Sequence, residues 1–191
     1  VGVRLGAAYT WHTIDSLRQV NIPTISERLT ADYDAATSQV FGELGYRFEN
    51  GTAVFEPFVN LAYVHFSNDA FAEQGGVTAL GGQSDSLDTF FTTLGLRAST
   101  SFNVGGMQAT LHGTVGWQHA SGDITPDASL AFVGGDVFSV AGAPIAENVA
   151  VLGARIEFAA TEHATVSIGY DGQFGSGQSD NGLTGTLSVK F

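Results

Sequence analysis

The sequence is 191 residues long, enough for one domain, and carries seven Lys and Arg against nineteen Asp and Glu, a net charge of −12. That balance argues against nucleic acid as a partner, which needs clustered cations, and the absence of cysteine excludes a disulfide framework or a thiolate metal site. Charged residues make up only 14%, while Gly contributes 25 and Phe 14. No run approaches the ~18 apolar residues of a spanning helix, but strands with one face in lipid average to neutral hydropathy and escape that criterion.

Period-two alternation begins at the first residue. Val1, Val3, Leu5, Ala7, Tyr9 and Trp11 oppose Gly2, Arg4, Gly6, Ala8, Thr10 and His12. A long polar connection is expected over residues 15–34. The second run sets Val40, Gly42, Leu44, Tyr46 and Phe48 against Gln39, Phe41, Glu43, Gly45 and Arg47. "ENGT" then reads as a tight turn, and Phe55, Pro57, Val59, Leu61 and Tyr63 oppose Glu56, Phe58, Asn60 and Ala62. Residues 67–88 form the next long connection.

The fourth and fifth runs, centred on Leu94 and Leu111, are joined by the short "NVGG", and both keep their charges on the face opposite the leucines (Arg97, His112). A third long connection spans 120–148. The sixth and seventh runs carry Leu152 and Ile168 opposite Arg155, Glu157 and Asp171, across the short "ATEH". Residues 175–182, "GSGQSDNG", read as a fourth loop. The eighth run closes the chain, with Leu183, Gly185, Leu187, Val189 and Phe191 on one side and Lys190 on the other.

Eight runs of roughly 9–11 residues fit tilted spanning strands. Their connections alternate long and short, the asymmetry of outer-membrane barrels, whose short turns are periplasmic. Both termini are therefore expected in the periplasm and the long connections outside. Aromatics cluster at both ends of the runs: Phe48, Phe55, Phe158 and Phe191 by the short turns, Tyr9, Trp11, Tyr63, Trp117, Tyr170 and Phe174 by the long ones. Such rings make interfacial girdles. An edge strand left unpaired in lipid costs several kcal/mol per backbone group, so the sheet is expected to close.

The polar face collects Arg4, His12, Glu43, Arg47, Glu56, Arg97, His112, Arg155, Glu157, Asp171 and Lys190. Mixed signs there suit a lumen lining along which a chain can slide, and equally an ion-pair network that stiffens the wall; Glu43 with Arg47 is one expected pair. The five His match no ligand spacing, and no G-x-S-x-G elbow occurs, so no catalytic, metal or cofactor site is expected. The apolar stretch "LAFVGGDVFSVAGAPI" inside 120–148 is unlike a solvated loop and is expected to form a further hairpin or a plug.

"AYTWHTIDSLR", "ADYDAATSQVFGELGYRF", "FEPFVNLAYVHF", "FTTLGLRAS", "GWQHASGD", "AFVGGDVFSVAGAPIAENVAVLGA" and "IGYDGQFGSGQSDNGLTGTLSVKF" occur in this order along nearly all of the chain. As a set they resemble the translocator β-domain of autotransporters, the type V secretion proteins. The resemblance implies a Gram-negative outer-membrane barrel that helps move an N-terminal passenger to the cell surface. It also implies insertion by the barrel assembly machinery through a C-terminal signal, which here would be Gly185, Leu187, Val189 and Phe191. The family barrel has twelve strands and a pore helix, and the eight runs match its last eight.

The expected object is thus an all-β, antiparallel up-and-down transmembrane barrel domain over 1–191, the C-terminal part of a larger translocator domain, with outer-membrane lipid, the assembly machinery and its own passenger as partners. Two alternatives remain open at this point: a small anchoring barrel with a filled interior, and a hydrolase with its site at the long-loop rim.

Overall fold

A computed structural model describes residues 1–190. The chain forms β1 (Gly2–Ile22), β2 (Ile25–Gly45), β3 (Phe48–Asn50), β4 (Ala53–Asn68), β5 (Phe71–Ala72), β6 (Leu80–Gly82), β7 (Asp85–Val104), β8 (Met107–Gly122), β9 (Asp127–Phe132), β10 (Val137–Ala141), β11 (Asn148–Ala159), β12 (Ala164–Gly175) and β13 (Gln178–Val189), with no helix among the described residues. Eight of them make one antiparallel up-and-down sheet in the order β1-β2-β4-β7-β8-β11-β12-β13, curled into a half-barrel. β1 and β13 are its two unpaired edges.

The register carries the alternation across the whole sheet. Val3 pairs with Leu44, Leu44 with Val59, Val59 with Leu94, Leu94 with Trp117, Trp117 with Ala150, and Ala150 with Phe174, one continuous apolar row. Leu5, Leu44, Leu61, Leu94, Leu111, Leu152 and Ile168 are all exposed, from 42% for Leu152 to 79% for Leu5. A water-soluble domain does not leave so broad an apolar face uncovered. The buried apolar side chains are instead mostly alanines, so the polypeptide has no large core of its own in this sheet. No second layer among the described residues covers that face.

The connections at the short-turn end follow local chemistry. Val104 pairs with Met107 around Gly105 and Gly106, whose φ values of 58° and 85° fit a type I′ hairpin turn that needs two left-handed residues. Asn50 pairs with Ala53 across Gly51 and Thr52. β3 is the continuation of β2 in the same register, since Gly45 faces Phe58 and Phe48 faces Phe55. The ladder lapses between them because Pro57 has no N–H to give, although the Tyr46 N–H still reaches the Pro57 carbonyl at 3.0 Å.

Three expectations need correction. Residues 15–34 are not a loop: β1 and β2 stay paired to Ile22 and Ile25, turning on Pro23 and Thr24, so both strands reach 21 residues. Residues 175–182 are likewise a tight hairpin, with Gly175 paired to Gln178. The strands of the main sheet are therefore 12 to 21 residues long rather than 9–11. In both segments the backbone ladder continues beyond the apolar band, where small or polar residues on either face read as loop. The connection over 67–88 contains β5 and β6. That over 120–148 contains the β9–β10 hairpin, one of the two expected forms, and these four strands build a second sheet in the order β10-β9-β6-β5.

Candidate functional site: a charged inner wall under an acidic rim

The face opposite the leucines holds a four-residue charge cluster drawn from four neighbouring strands. Arg4 Nη1 donates to Glu43 Oε1 at 2.6 Å and to Glu56 Oε1 at 2.7 Å. Arg97 donates to both Glu43 oxygens at 2.8 and 2.7 Å, and to Glu56 at 3.0 Å. The Glu43 side chain is only 7% exposed, so its charge is tolerable only because two guanidiniums enclose it. Arg97 also lies over the Phe58 ring, 3.7 Å from its centroid. Phe58 in turn covers Gly95, and Phe41 covers Gly6, filling positions where a side chain would collide with the ring.

The expected Glu43–Arg47 pair does not form. Arg47 lies beside the Pro57 lapse and approaches Glu49 at 3.9 Å instead, with both side chains exposed. Glu43 is taken by Arg4, its cross-strand partner on β1, and by Arg97, which reaches across β4 from β7. His112, Thr114, Arg155, Glu157 and Asp171 line a cavity of about 220 Å³ on the same wall. His112 Nε2 lies 3.7 Å from Glu157 Oε2 and makes no hydrogen bond. Arg47, Glu56, Arg97 and His112 line a second cavity of about 210 Å³. His12 bonds Thr37 at 3.0 Å, and Lys190 lies exposed just beyond β13, its backbone N–H on the His163 carbonyl. Gly185, Leu187 and Val189 sit exposed on the β13 edge strand, and Phe191 lies outside the described residues.

Sequence reasoning missed a clasp at the long-loop end. Glu27, near the β1–β2 tip, accepts the backbone N–H groups of Val77 and Thr78 at 2.9 and 3.0 Å and the Thr78 hydroxyl at 2.6 Å. Arg18 Nε donates to Glu73 Oε1 at 2.9 Å, and Glu73 also accepts the Leu80 N–H at 2.8 Å. The Thr78 hydroxyl and these amides hold the Glu27 carboxyl below the usual range, and Arg18 does the same for Glu73. Gly75, at φ +117°, lets the segment lie against the Arg28 carbonyl, where a Cβ would collide. Leu29 and Ala79 are buried beneath it. Only Gly75 could have signalled this contact, because the partners are some fifty residues apart.

Asp32 lies across the strand pair from Asp15, and that neighbouring carboxyl pushes it up. More broadly, residues 15–34, 67–88, 120–148 and 175–182 hold thirteen carboxylates and only Arg18 and Arg28, a net −11, leaving five cations against six carboxylates, −1, for the rest.

The described residues hold no group of His, Asp or Glu arranged for a metal ion. The family model for the autotransporter β-domain matches residues 1–171. Two relatives from Serratia marcescens, both named extracellular serine protease, are each 38% identical, over 100% and 97% of this chain. The chain spans 18% of the length of each. An exposed apolar face, a charged opposite face and an up-and-down antiparallel sheet are what such a domain requires, and this chain belongs to the autotransporter β-domain family, with the role of a translocator domain.

Proposed function

We propose that the wall bearing Arg4, Glu43, Glu56, Arg97, His112, Arg155, Glu157 and Asp171 lines the conduit through which a passenger leaves the cell. The observation that carries this reading is the division of the sheet into a leucine face and a face of mutually paired charges. A conduit for an extended chain needs polar groups that hold water yet offer no single strong site. The Arg4–Glu43–Glu56–Arg97 cluster meets that need, because each charge is already answered by its neighbours and little attraction remains for a passing peptide.

In this reading the leucine face meets outer-membrane lipid, the short turns and both ends of the sheet lie in the periplasm, and the long hairpins with their net −11 stand outside. The two unpaired edges then join further strands of the same domain to complete a barrel, since open edges are not tolerated in lipid. The assembly signal comprises Gly185, Leu187 and Val189 of β13 together with Phe191, which follows it in sequence. The domain acts as a conduit rather than a catalyst, and the names of the relatives point to a secreted serine peptidase as the cargo. The cargo's activity belongs to the passenger.

The test uses cells expressing the full-length parent protein. Externally added protease should reach the passenger in cells carrying the intact domain. Passenger retained in the periplasm beneath a correctly inserted domain would contradict the assignment. A panel of cysteine pairs along β1 and β13 addresses closure: disulfides between these two strands would mean that eight strands close alone.

A further inference from the structure

At the long-loop end, where the main sheet meets the second sheet, Tyr33, Phe66 and Phe71 line a cavity of about 190 Å³ together with Asn68, Asp85 and Asp127. Tyr33 and Phe71 stack with centroids 4.7 Å apart and planes 18° apart, forming one continuous aromatic wall. Phe71 can lie there because its cross-strand partner is Gly82, where any Cβ would meet the ring. The three aromatics are half-buried, while Asp85 and Asp127 are exposed at the rim. Asp85 caps the Ser86 N–H at 2.8 Å, and neither aspartate has an ion-pair partner among the described residues. Neither Arg18 nor Arg28, the two arginines of this end of the molecule, lines the cavity.

Aromatic faces carry negative quadrupoles, and with carboxylates at the mouth they make a lining complementary to an organic cation. The surrounding net charge of −11 raises the local concentration of such a cation and rejects anions. A metal ion is a poor match, since hard cations want several converging oxygen ligands. The body of this cavity is instead walled by the Tyr33–Phe71 stack and Phe66, and its two carboxylates stand exposed at the rim. We propose that this cavity is a binding site for an organic ammonium group, supplied by a small free amine or by a lysine side chain of a polypeptide emerging at this end. The rings take the alkyl portion and the charge, and Asp85 and Asp127 fix its orientation from the rim.

The test is titration calorimetry on the parent outer-membrane protein, folded in detergent, with four probes. Neopentylammonium stands for a free amine, a capped Gly-Lys-Gly peptide for a polypeptide lysine, neopentyl alcohol for a neutral body of similar shape, and methyl glucoside for a sugar. Binding of either ammonium probe, weakening as salt is added, is the expected result, and which of the two binds identifies the source. Asp85→Asn with Asp127→Asn should weaken that binding roughly tenfold or more, while leaving heat-modifiable migration of the barrel unchanged. The proposal is overturned if neither ammonium probe binds, if neopentyl alcohol or methyl glucoside binds as well as they do, or if the double variant binds like the parent protein.

Discussion

The inner wall and the long-loop end of this molecule handle charge in opposite ways. Outside the long-loop segments five cations meet six carboxylates, and on the wall the central four charges neutralise one another across four consecutive strands. At the long-loop end thirteen carboxylates face two arginines, and carboxylates are satisfied by backbone amides, as Glu27 is by Val77 and Thr78. The contrast follows from solvent. Enclosed charges must be paired because no bulk water answers them, whereas a solvated end can hold a large net charge at little cost and use it as a field.

The largest effect that sharpens this contrast lies on the wall's lipid side. Leu111→Arg should cost about 2–4 kcal/mol near the membrane midplane. Thr110→Arg, one residue away on the inner face, should cost much less, although it breaks the 2.9 Å bond to Ser101. Unfolding of both variants in lipid vesicles makes the comparison, and equal costs would show that the faces are wrongly assigned.

Next comes the charge cluster. Glu43→Ala leaves Arg4 and Arg97 sharing Glu56 alone, and should cost about 2–3 kcal/mol in the same measurement, somewhat below the usual loss for breaking a buried pair because Glu56 remains. Glu49→Ala, which removes only the 3.9 Å exposed contact to Arg47, should change stability by less than about 0.5 kcal/mol. If the two variants behave alike, the wall's pairs are no more enclosed than surface charges.

At the solvated end, Gly75→Ala should cost roughly 1–2 kcal/mol through the left-handed backbone alone. Its readout is faster proteolytic cleavage within 69–79, while the spanning strands stay protected.

The smallest effect concerns pH and has opposite signs at two sites of the long-loop end, one in the β1–β2 hairpin and one in the segment clasped to it. Glu73, held low by Arg18, contributes stability that is present above the ordinary carboxylate range and is lost as pH falls through its folded value. Asp32, pushed up by Asp15, instead destabilises the hairpin above its raised value, and that penalty disappears as pH falls below it. Asp32→Asn should therefore slow amide exchange at the β1–β2 tip at pH 7 and give no benefit once Asp32 is protonated in the parent protein. A benefit independent of pH would mean that the neighbouring Asp15 carboxyl does not raise Asp32.

These regions also differ in how far the sequence discloses them. The wall was legible because period two is a local rule: once Leu5, Leu44 and Leu94 are placed outward, Arg4, Glu43 and Arg97 follow inward without knowledge of any partner. Their pairing was less legible, since which arginine meets Glu43 depends on register between strands. Beyond the apolar band the rule fails. In residues 15–34 one face, with Arg18, Glu27 and the buried Leu29 and Ala31, packs under other segments while the other is exposed. Residues 176–182 are exposed throughout, so the ladder continues without the outward apolar half of the pattern. The clasp and the Tyr33–Phe71 stack join residues 38 or more positions apart in sequence, and no spacing announces such contacts.

The account rests most directly on which face meets the passenger. A photo-crosslinking residue placed at Thr114, on the inner wall, and another at Leu152, on the leucine face, would be compared in cells exporting the full-length protein with its passenger stalled midway. The account predicts adducts to the passenger from Thr114 and none from Leu152. Passenger adducts from Leu152, or their absence from Thr114 while export proceeds, would contradict it.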